Sequence, residues 1–404
     1  MTRLPNRLQP FWPLVKRLHR AASLLNGVVV RRTSRLFGVR ALPRRGSTTS
    51  ARTAELEPGA VTLHRVEHGE ALRREQAVGD PSGHWVFDAR RTFDVPPRFS
   101  LEIERGVVVG DYGATVTPGG TLDYETSDYF GVSGWREHPI FLRRRLPPVE
   151  HVAGTLVSLA TRGGSNNYYH FLLDVLPRFG VFEETMPGRV ADALYVPSTT
   201  RWQQDLLQLV GLGDHTYVET QKHRAVSADR LVVPSLPNPK EVAPRATVDW
   251  LRSRLVAHDT SDKPRRIYVT RGSAPNTRRF VREDALMERL EERGFVRIEP
   301  GGMSVRDQID HYAAAEVVVA PHGAALTNLV FAAPGVRVLE MFPAEYVNQC
   351  FWAITQSVPD SKYAYLIAGD VAQHGPGDPM NKIQADIDLD PEAVVAAVDR
   401  LIAS

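Results

Sequence analysis

The chain has 404 residues, 43% of them hydrophobic and 24% charged, with a single cysteine. This is chain enough for about two ordinary domains, with the composition of a globular protein rather than a disordered one. Cys350 alone permits no internal disulfide and paired-cysteine zinc spacings are absent, which excludes a disulfide scaffold and suits a reducing compartment. The net charge of +2 conceals a split. Residues 1–53 carry 12 of the 49 Lys and Arg and no acid, leaving 37 basic against 47 acidic residues beyond them. A uniformly basic nucleic-acid binder is thereby excluded in favour of a basic arm on an acidic body.

Between Leu14 and Phe37, Lys16, Arg17, Arg20, Arg31, Arg32 and Arg35 alternate with Leu14, Val15, Leu18, Leu24, Leu25 and Val28 to Val30. At helical spacing this makes an apolar stripe with cationic flanks, suited to an anionic membrane surface. The longest nearly apolar run, Ala21 to Val30, falls far short of the roughly 20 residues a spanning helix needs. A solvated tail, a signal peptide and a transit peptide are the alternatives, although Arg31 and Arg32 stand where a cleavage site needs small residues. The expected location is cytoplasmic, peripheral at the inner face of the membrane.

Residues 41–60 are polar and read as a linker, with the arm taken as 1–53. Glycines at hairpin spacing punctuate short alternating segments and predict a β-rich region over 60–150, in which Asp123 and Glu125 are expected in solvent. From 151 to 245 short strands alternate with longer helical patterns near Tyr168 to Glu184 and Arg201 to Val210, a first Rossmann-like unit. Pro234, Pro237, Pro239 and Pro244 mark a hinge. A second Rossmann-like unit follows over 246–385, and 386–404 closes with an amphipathic helix capped by Asp390. The expected fold is α/β, two Rossmann-like halves facing a cleft, with a small β-rich N-terminal region.

Three constellations carry chemistry. The apolar strand at 316–321 delivers His322, and a helix begins at once with Gly323, Ala324 and Ala325. Small residues admit a ligand to the backbone, and the free N–H groups of the first turn favour an anion such as a diphosphate. Thr327 and Asn328 add donors there, and Glu340, at the end of the next strand, is placed to accept from ribose hydroxyls. No Walker A or GxGxxG pattern is present. Second, strand Ile267 to Thr270 delivers Arg271, and the loop beyond it carries Arg278, Arg279 and Arg282; Arg271 and then Arg279 are the best candidates for bidentate phosphate binding. Third, Gly163-Gly164-Ser165-Asn166-Asn167 opens a helix on which Asn167, His170 and Asp174 form one stripe among apolar neighbours. Asp174 or His170 can act as the base toward an acceptor hydroxyl. The DxD spacing at Asp386 and Asp388 reads as strand alternation rather than a metal site.

Together, Asn-x-x-His-Phe-x-x-Asp at 167–174, Ile-Tyr-Val-Thr-Arg at 267–271, Gln308-Ile309, Ala-Pro-His-Gly-Ala-Ala-Leu-Thr-Asn-Leu-Val-Phe at 320–331 and Glu340 resemble glycosyltransferase family 61, over roughly residues 100–365. The family includes bacterial proteins of capsular polysaccharide synthesis. The resemblance implies a GT-B fold, the nucleotide-sugar donor on the second Rossmann-like domain, and inverting transfer to a hydroxyl; a glycan or glycolipid acceptor on the first domain and no metal or other cofactor are the accompanying expectations. It assigns Arg271, Arg279, His322, Gly323, Thr327, Asn328 and Glu340 to the donor side and matches Asn167, His170 and Asp174 to the patterned helix of the first domain; Ala324 and Asn166, beside them, complete the expected substrate-binding set. Two departures stand out: Arg282-Glu283 where many members carry Asn, and Ala325 for a common Gly. The rival functions are a non-catalytic glycan- or nucleotide-binding protein of the same fold and a sugar-nucleotide epimerase.

Overall fold

The computed structural model describes residues 12–132, 134–272, 278–344, 346–369 and 385–404. Residues 273–277, residues 370–384 of the second unit, residues 1–11 of the arm and the side chains of Lys16, Arg31 and Arg35 lie outside the described residues. The chain opens with α1 (Trp12–Thr33) and a 3-10 segment (Ser34–Arg40).

The stretch read as a linker is structured. It holds β1 (Arg45–Ser47) and α2 (Ser50–Leu56), whose cap Thr49 accepts from the Arg52 amide at 3.3 Å. The hydroxyls of Ser50 and Thr53 bond to Asp123 at 2.7 and 2.9 Å, and the Ser50 amide bonds to Glu125 at 2.6 Å. Asp123, expected in solvent, is fully buried. Its partners lie some 70 residues upstream, so composition reads the polar segment as loop while the fold uses its hydroxyls to satisfy a buried acid.

The next elements are β2 (Val61–Arg65), β3 (Glu70–Arg73), β4 (Val78–Asp80), α3 (Trp85–Asp88), β5 (Thr92–Val95), β6 (Phe99–Glu104), β7 (Val107–Val109), β8 (Ala114–Val116), β9 (Thr121–Asp123) and β10 (Val149–Ser158). After a helical stretch over 168–185 come β11 (Ala193–Val196), α6 (Arg201–Leu209), β12 (Thr216–Glu219) and β13 (Ala225–Pro234). One ten-stranded sheet runs β1-β9-β8-β7-β13-β10-β11-β12, with β6 pairing both β13 and β2. The strands β13, β10, β11 and β12 are parallel, while β6 and β7 add to β13 antiparallel. Most strands of the 60–150 region extend the sheet of the 151–245 unit. The exposed backbone edge of β13 accounts for this, because its ten residues are long enough to pair β7 at one end and β6 at the other.

The second half comprises α7 (Arg245–Arg254), β14 (Arg266–Val269), α8 (Glu283–Glu291), β15 (Val296–Ile298), α9 (Val305–Ala314), β16 (Val317–Pro321), a 3-10 helix (Ala324–Phe331), β17 (Arg337–Pro343), α10 (Cys350–Thr355), β18 (Lys362–Ala368) and α11 (Pro391–Ala403). Its sheet, β15-β14-β16-β17-β18-β4, is parallel throughout. Counting from β14, the first five strands follow the doubly wound order 2-1-3-4-5, whose switch point lies between β14 and β16. The sixth, β4, comes from the stretch between β2 and β6 of the first sheet.

One continuous apolar core joins the halves. It includes Phe171, Leu172 and Leu206 from the first, and Ile267, Val318, Leu326 and Trp352 from the second. Arg254 of α7 also reaches the first half, donating to the Glu183 carboxylate at 2.6 Å.

Candidate functional site

The helix bearing His170 is built in three pieces: α4 (Tyr168–His170), a π-helical turn (Phe171–Val175) and α5 (Leu176–Thr185). Pro177 has no N–H to give, and its ring crowds the carbonyl four residues back, so the preceding turn widens. All five residues of that turn are buried, Asp174 among them. Nδ1 of His170 lies 2.6 Å from Oδ2 of Asp174, and Oδ1 accepts from Nδ2 of Asn238 at 3.0 Å. With both carboxylate oxygens engaged, Asp174 orients the imidazole and Nε2 of His170 is the atom left for chemistry. Burial opposes charge on His170, but the Asp174 hydrogen bond and the charges of Asp174 and Glu241 outweigh it and raise the pKa.

Gly163 admits this ring. Its φ is +91°, and a Cβ there would stand 2.6 Å from the His170 ring. The Phe130 ring, 47% exposed, lies 5.1 Å from that of His170. Arg162 covers the Tyr129 and Phe130 rings at 3.9 and 5.0 Å. Beneath, the fully buried Arg178 donates to the Thr126 carbonyl at 3.0 Å and to that of Ala160; burial lowers its pKa to about 10 against the pull of Asp174.

Asn167 is placed differently from the predicted stripe, and Asn166 stands just before it. Asn167 is the N-cap of α4, its oxygen accepting from the Tyr169 amide at 2.9 Å, and both asparagines are exposed. An N-cap residue has extended backbone, and its side chain is spent on the free amides of the first turn.

His322 stands at the carboxyl end of β16, and Arg271 follows β14, so the two flank the switch point. The space between them depends on Gly323, where a Cβ would lie 2.0 Å from a guanidinium nitrogen of Arg271. Arg278, in a left-handed conformation with φ +74°, donates to the His322 carbonyl at 3.0 Å and covers the Tyr346 ring at 5.2 Å. Burial, reinforced by Arg278 and Arg279, lowers the pKa of Arg271 to about 10. Arg279 is exposed, and its amide is held by Asp386 at 2.9 Å. Arg282 bonds to Asp388 at 3.0 Å, so the two DxD acids tether the arginine segment, while Asp390 caps α11.

Nδ1 of His322 hydrogen-bonds Oε1 of Glu340, and Oε2 accepts from the Tyr363 hydroxyl at 2.5 Å. Glu340 is fully buried in the middle of β17, not at its end, and both its oxygens are engaged, which corrects the expectation that it faces a ribose. Burial together with Arg278 and Arg271 pushes the His322 pKa well down, and burial pushes the Glu340 carboxyl well up. Both neutral forms are thus favoured. In that state Tyr363 donates to Glu340, Glu340 donates to Nδ1, and Nε2 carries the ring's N–H, a donor for an anion.

Thr327 and Asn328 are fully buried and occupied within the protein. Thr327 donates to the Ala324 carbonyl at 2.6 Å. Asn328 accepts from Tyr168 at 2.8 Å and donates to Gln308 and the Ala325 carbonyl at 2.9 and 3.1 Å. They brace the 3-10 helix, and its partly exposed start at Ala324 and Ala325 is what faces outward.

The two histidines share one aromatic seam. Ring centroids run from His170 to Tyr169 at 5.3 Å, Tyr169 to Phe351 at 5.8 Å and Phe351 to His322 at 5.0 Å. Asn238 ties the seam by donating to the Tyr169 hydroxyl at 3.0 Å and accepting from the Ala243 amide at 2.8 Å. The loop so closed holds Lys240, Glu241 and Ala243 at φ +55°, +57° and +42°, a concentration of backbone strain beside the dyads.

Residues 168–339 match the family described as Glycosyltransferase 61. The match begins on α4 and ends in β17, one residue short of Glu340, and so contains both histidines, Asp174 and the three arginines. It supports a glycosyltransferase, and such a family implies a nucleotide-sugar donor and a glycan acceptor. No curated protein matches the chain. Among the described residues, no group of three or more His, Cys, Asp or Glu is placed to hold a metal ion.

The structure gathers Arg271, His322, His170 and Asp174 around the aromatic seam. Arg278, rather than the better-placed candidate of the sequence, Arg279, is the arginine that touches His322. Arg178, Asn238 and Tyr363 join the site without belonging to any of the three constellations. Arg178 carried a signal, four residues beyond Asp174 on an apolar helix; the other two come from a proline-rich stretch and a separate strand.

Proposed function

We propose that the protein is an inverting, metal-independent glycosyltransferase of GT-B type that builds cell-surface or capsular polysaccharide at the cytoplasmic side of the membrane. The observation that carries this reading is the shared seam: a charge-favoured His170–Asp174 pair on one side, and a neutral His322 flanked by Arg271 and Arg278 on the other. The diphosphate of the donor lies against Nε2 of His322, the two arginines and the amides that open the 3-10 helix. The acceptor lies over Phe130, and Nε2 of His170 takes its hydroxyl proton as the oxygen attacks the anomeric carbon. The bond to the diphosphate oxygen breaks on the opposite face, and the charge left on the diphosphate meets the arginines.

A thermal-shift screen against UDP-, GDP-, CMP- and dTDP-sugars identifies the donor, since a specific ligand stabilises by mass action. With that donor, His322→Ala is expected to lose binding, whereas His170→Ala is expected to bind it and fail to transfer. Stabilisation by no nucleotide sugar, or unchanged transfer by both variants, overturns the reading.

A further inference from the structure

The two faces of α1 differ in what they touch. Gly27 packs on Phe141, where a Cβ would come within 3.4 Å of the side chain. Asn26 donates to the Phe141 carbonyl, and Arg20 pairs with Glu137 at 2.7 Å. That face is docked on the 3-10 turns Trp135–Glu137 and Pro139–Leu142. At about 100° per residue, Leu14, Leu18, Leu25 and Val29 fall on one stripe and Gly27 falls opposite it. The stripe is open: Leu18 and Leu25 are 62% and 69% exposed, and Leu36 and Val39 in the following 3-10 segment are each 83% exposed.

The surroundings are basic. Arg17 and Arg32 are exposed on α1, and no acid precedes Glu55. The rim next to the docking turns adds Leu142, Arg144 and Arg145, all exposed, with Arg145 6.0 Å from the Phe37 ring. A solvated helix would carry polar side chains on the stripe, and a helix serving only the fold would bury it. A second copy of this chain would bring like charges together. No helix among the described residues is long and apolar enough to cross a membrane.

We propose that α1 in its docked position, the Ser34–Arg40 segment and the Leu142–Arg145 rim form a preformed contact surface for an anionic lipid bilayer. Leu14, Leu18, Leu25 and Val29 enter the acyl boundary, and Arg17, Arg32, Arg144 and Arg145 meet the headgroups. The surface stands on the helix and its neighbours alone, independent of the chemistry at the seam.

The test is flotation of the full chain with phosphatidylcholine vesicles, with and without phosphatidylglycerol, at low and high salt. Wild type is expected to float only with the anionic vesicles, and less at high salt. Leu18→Glu/Leu25→Glu should lower the floated fraction about tenfold with unchanged circular dichroism and melting temperature. Arg144→Glu/Arg145→Glu should weaken flotation and flatten its salt dependence. Absence of flotation by wild type, or equal flotation by the leucine variant, overturns the proposal. So does a wild-type dimer in gel filtration that the leucine variant dissolves while neither floats, because the stripe would then join two copies of the chain.

Discussion

Asp174 holds His170 by one carboxylate oxygen at 2.6 Å, and its other oxygen is fixed by Asn238. A base must be neutral to accept a proton, and the pair raises the His170 pKa. The acid limb of kcat/KM for transfer should therefore lie above the ordinary histidine value of about 6.5. Asp174→Asn removes the charge, so the limb moves down while kcat falls by about 10²–10⁴. The sign for stability is the reverse: the pair's contribution is complete below the unfolded value and is lost as pH rises through the raised one. A limb unmoved by the substitution would take His170 out of the reaction.

Asn238→Ala leaves the Tyr169 hydroxyl, the Asp174 oxygen and the Ala243 amide without their partner. The expected cost is about 1–3 kcal/mol, read as a lower midpoint in urea. Because the residue positions Asp174 and touches no substrate, kcat should fall with the donor KM unchanged, and Asn238→Asp should rescue poorly because a carboxylate cannot donate.

Glu340→Gln separates a neutral relay from an ionised one. A glutamine amide donates to Nδ1 of His322 while its oxygen accepts from Tyr363, reproducing the protonated glutamic acid. Donor affinity, measured calorimetrically, should change by less than about threefold, whereas Glu340→Ala should weaken it by tenfold or more, on the order of 1–3 kcal/mol. Loss of binding in the glutamine variant would show that the carboxylate charge is required.

Gly323→Ala puts a methyl where the Arg271 guanidinium lies. The arginine must swing aside, so the donor KM should rise about tenfold or more with the acceptor KM unchanged, while the backbone, at φ −175°, tolerates the substitution.

His138 is fully buried, and burial lowers its pKa to about 3 although a bond to the Ser127 backbone partly offsets this. Between about pH 6.5 and 3 the unfolded chain binds a proton that the folded chain does not, so stability falls by about 1.4 kcal/mol per pH unit as the solution is acidified. His138→Gln should reduce that slope by one proton in urea titrations across this range.

The second sheet was the more legible half. Val317 to Pro321 is apolar on both faces and is followed at once by small residues, a local pattern that reports a buried strand and the turn after it. The seam was less so. Asn238 sits among prolines that mark a bend without saying what the bend holds, and Tyr363 meets Glu340 only because β17 and β18 are neighbours. The first sheet was misread for a related reason: the hydroxyls of Ser50 and Thr53 look like solvent-facing polarity until Asp123 arrives from far along the chain to claim them. Periodicity reports which way a side chain faces within its own element, and pairings across elements leave no such trace.

Strand β4 pairs with β18 through Val78 to Asp80, and Phe87 just beyond it stacks on Tyr365 at 4.6 Å, while β2 and β6 on either side of this excursion belong to the other sheet. The polypeptide thus visits the second half before it has finished the first. Any opening of the two halves about the proline-rich stretch must either carry this early strand along or peel it from the sheet edge, so three lines of chain, not one, set the stiffness of the joint. In a nascent chain the strand comes long before its place: the position for β4 exists only after β18 has been made, and the segment around Phe87 waits through most of synthesis for its partner.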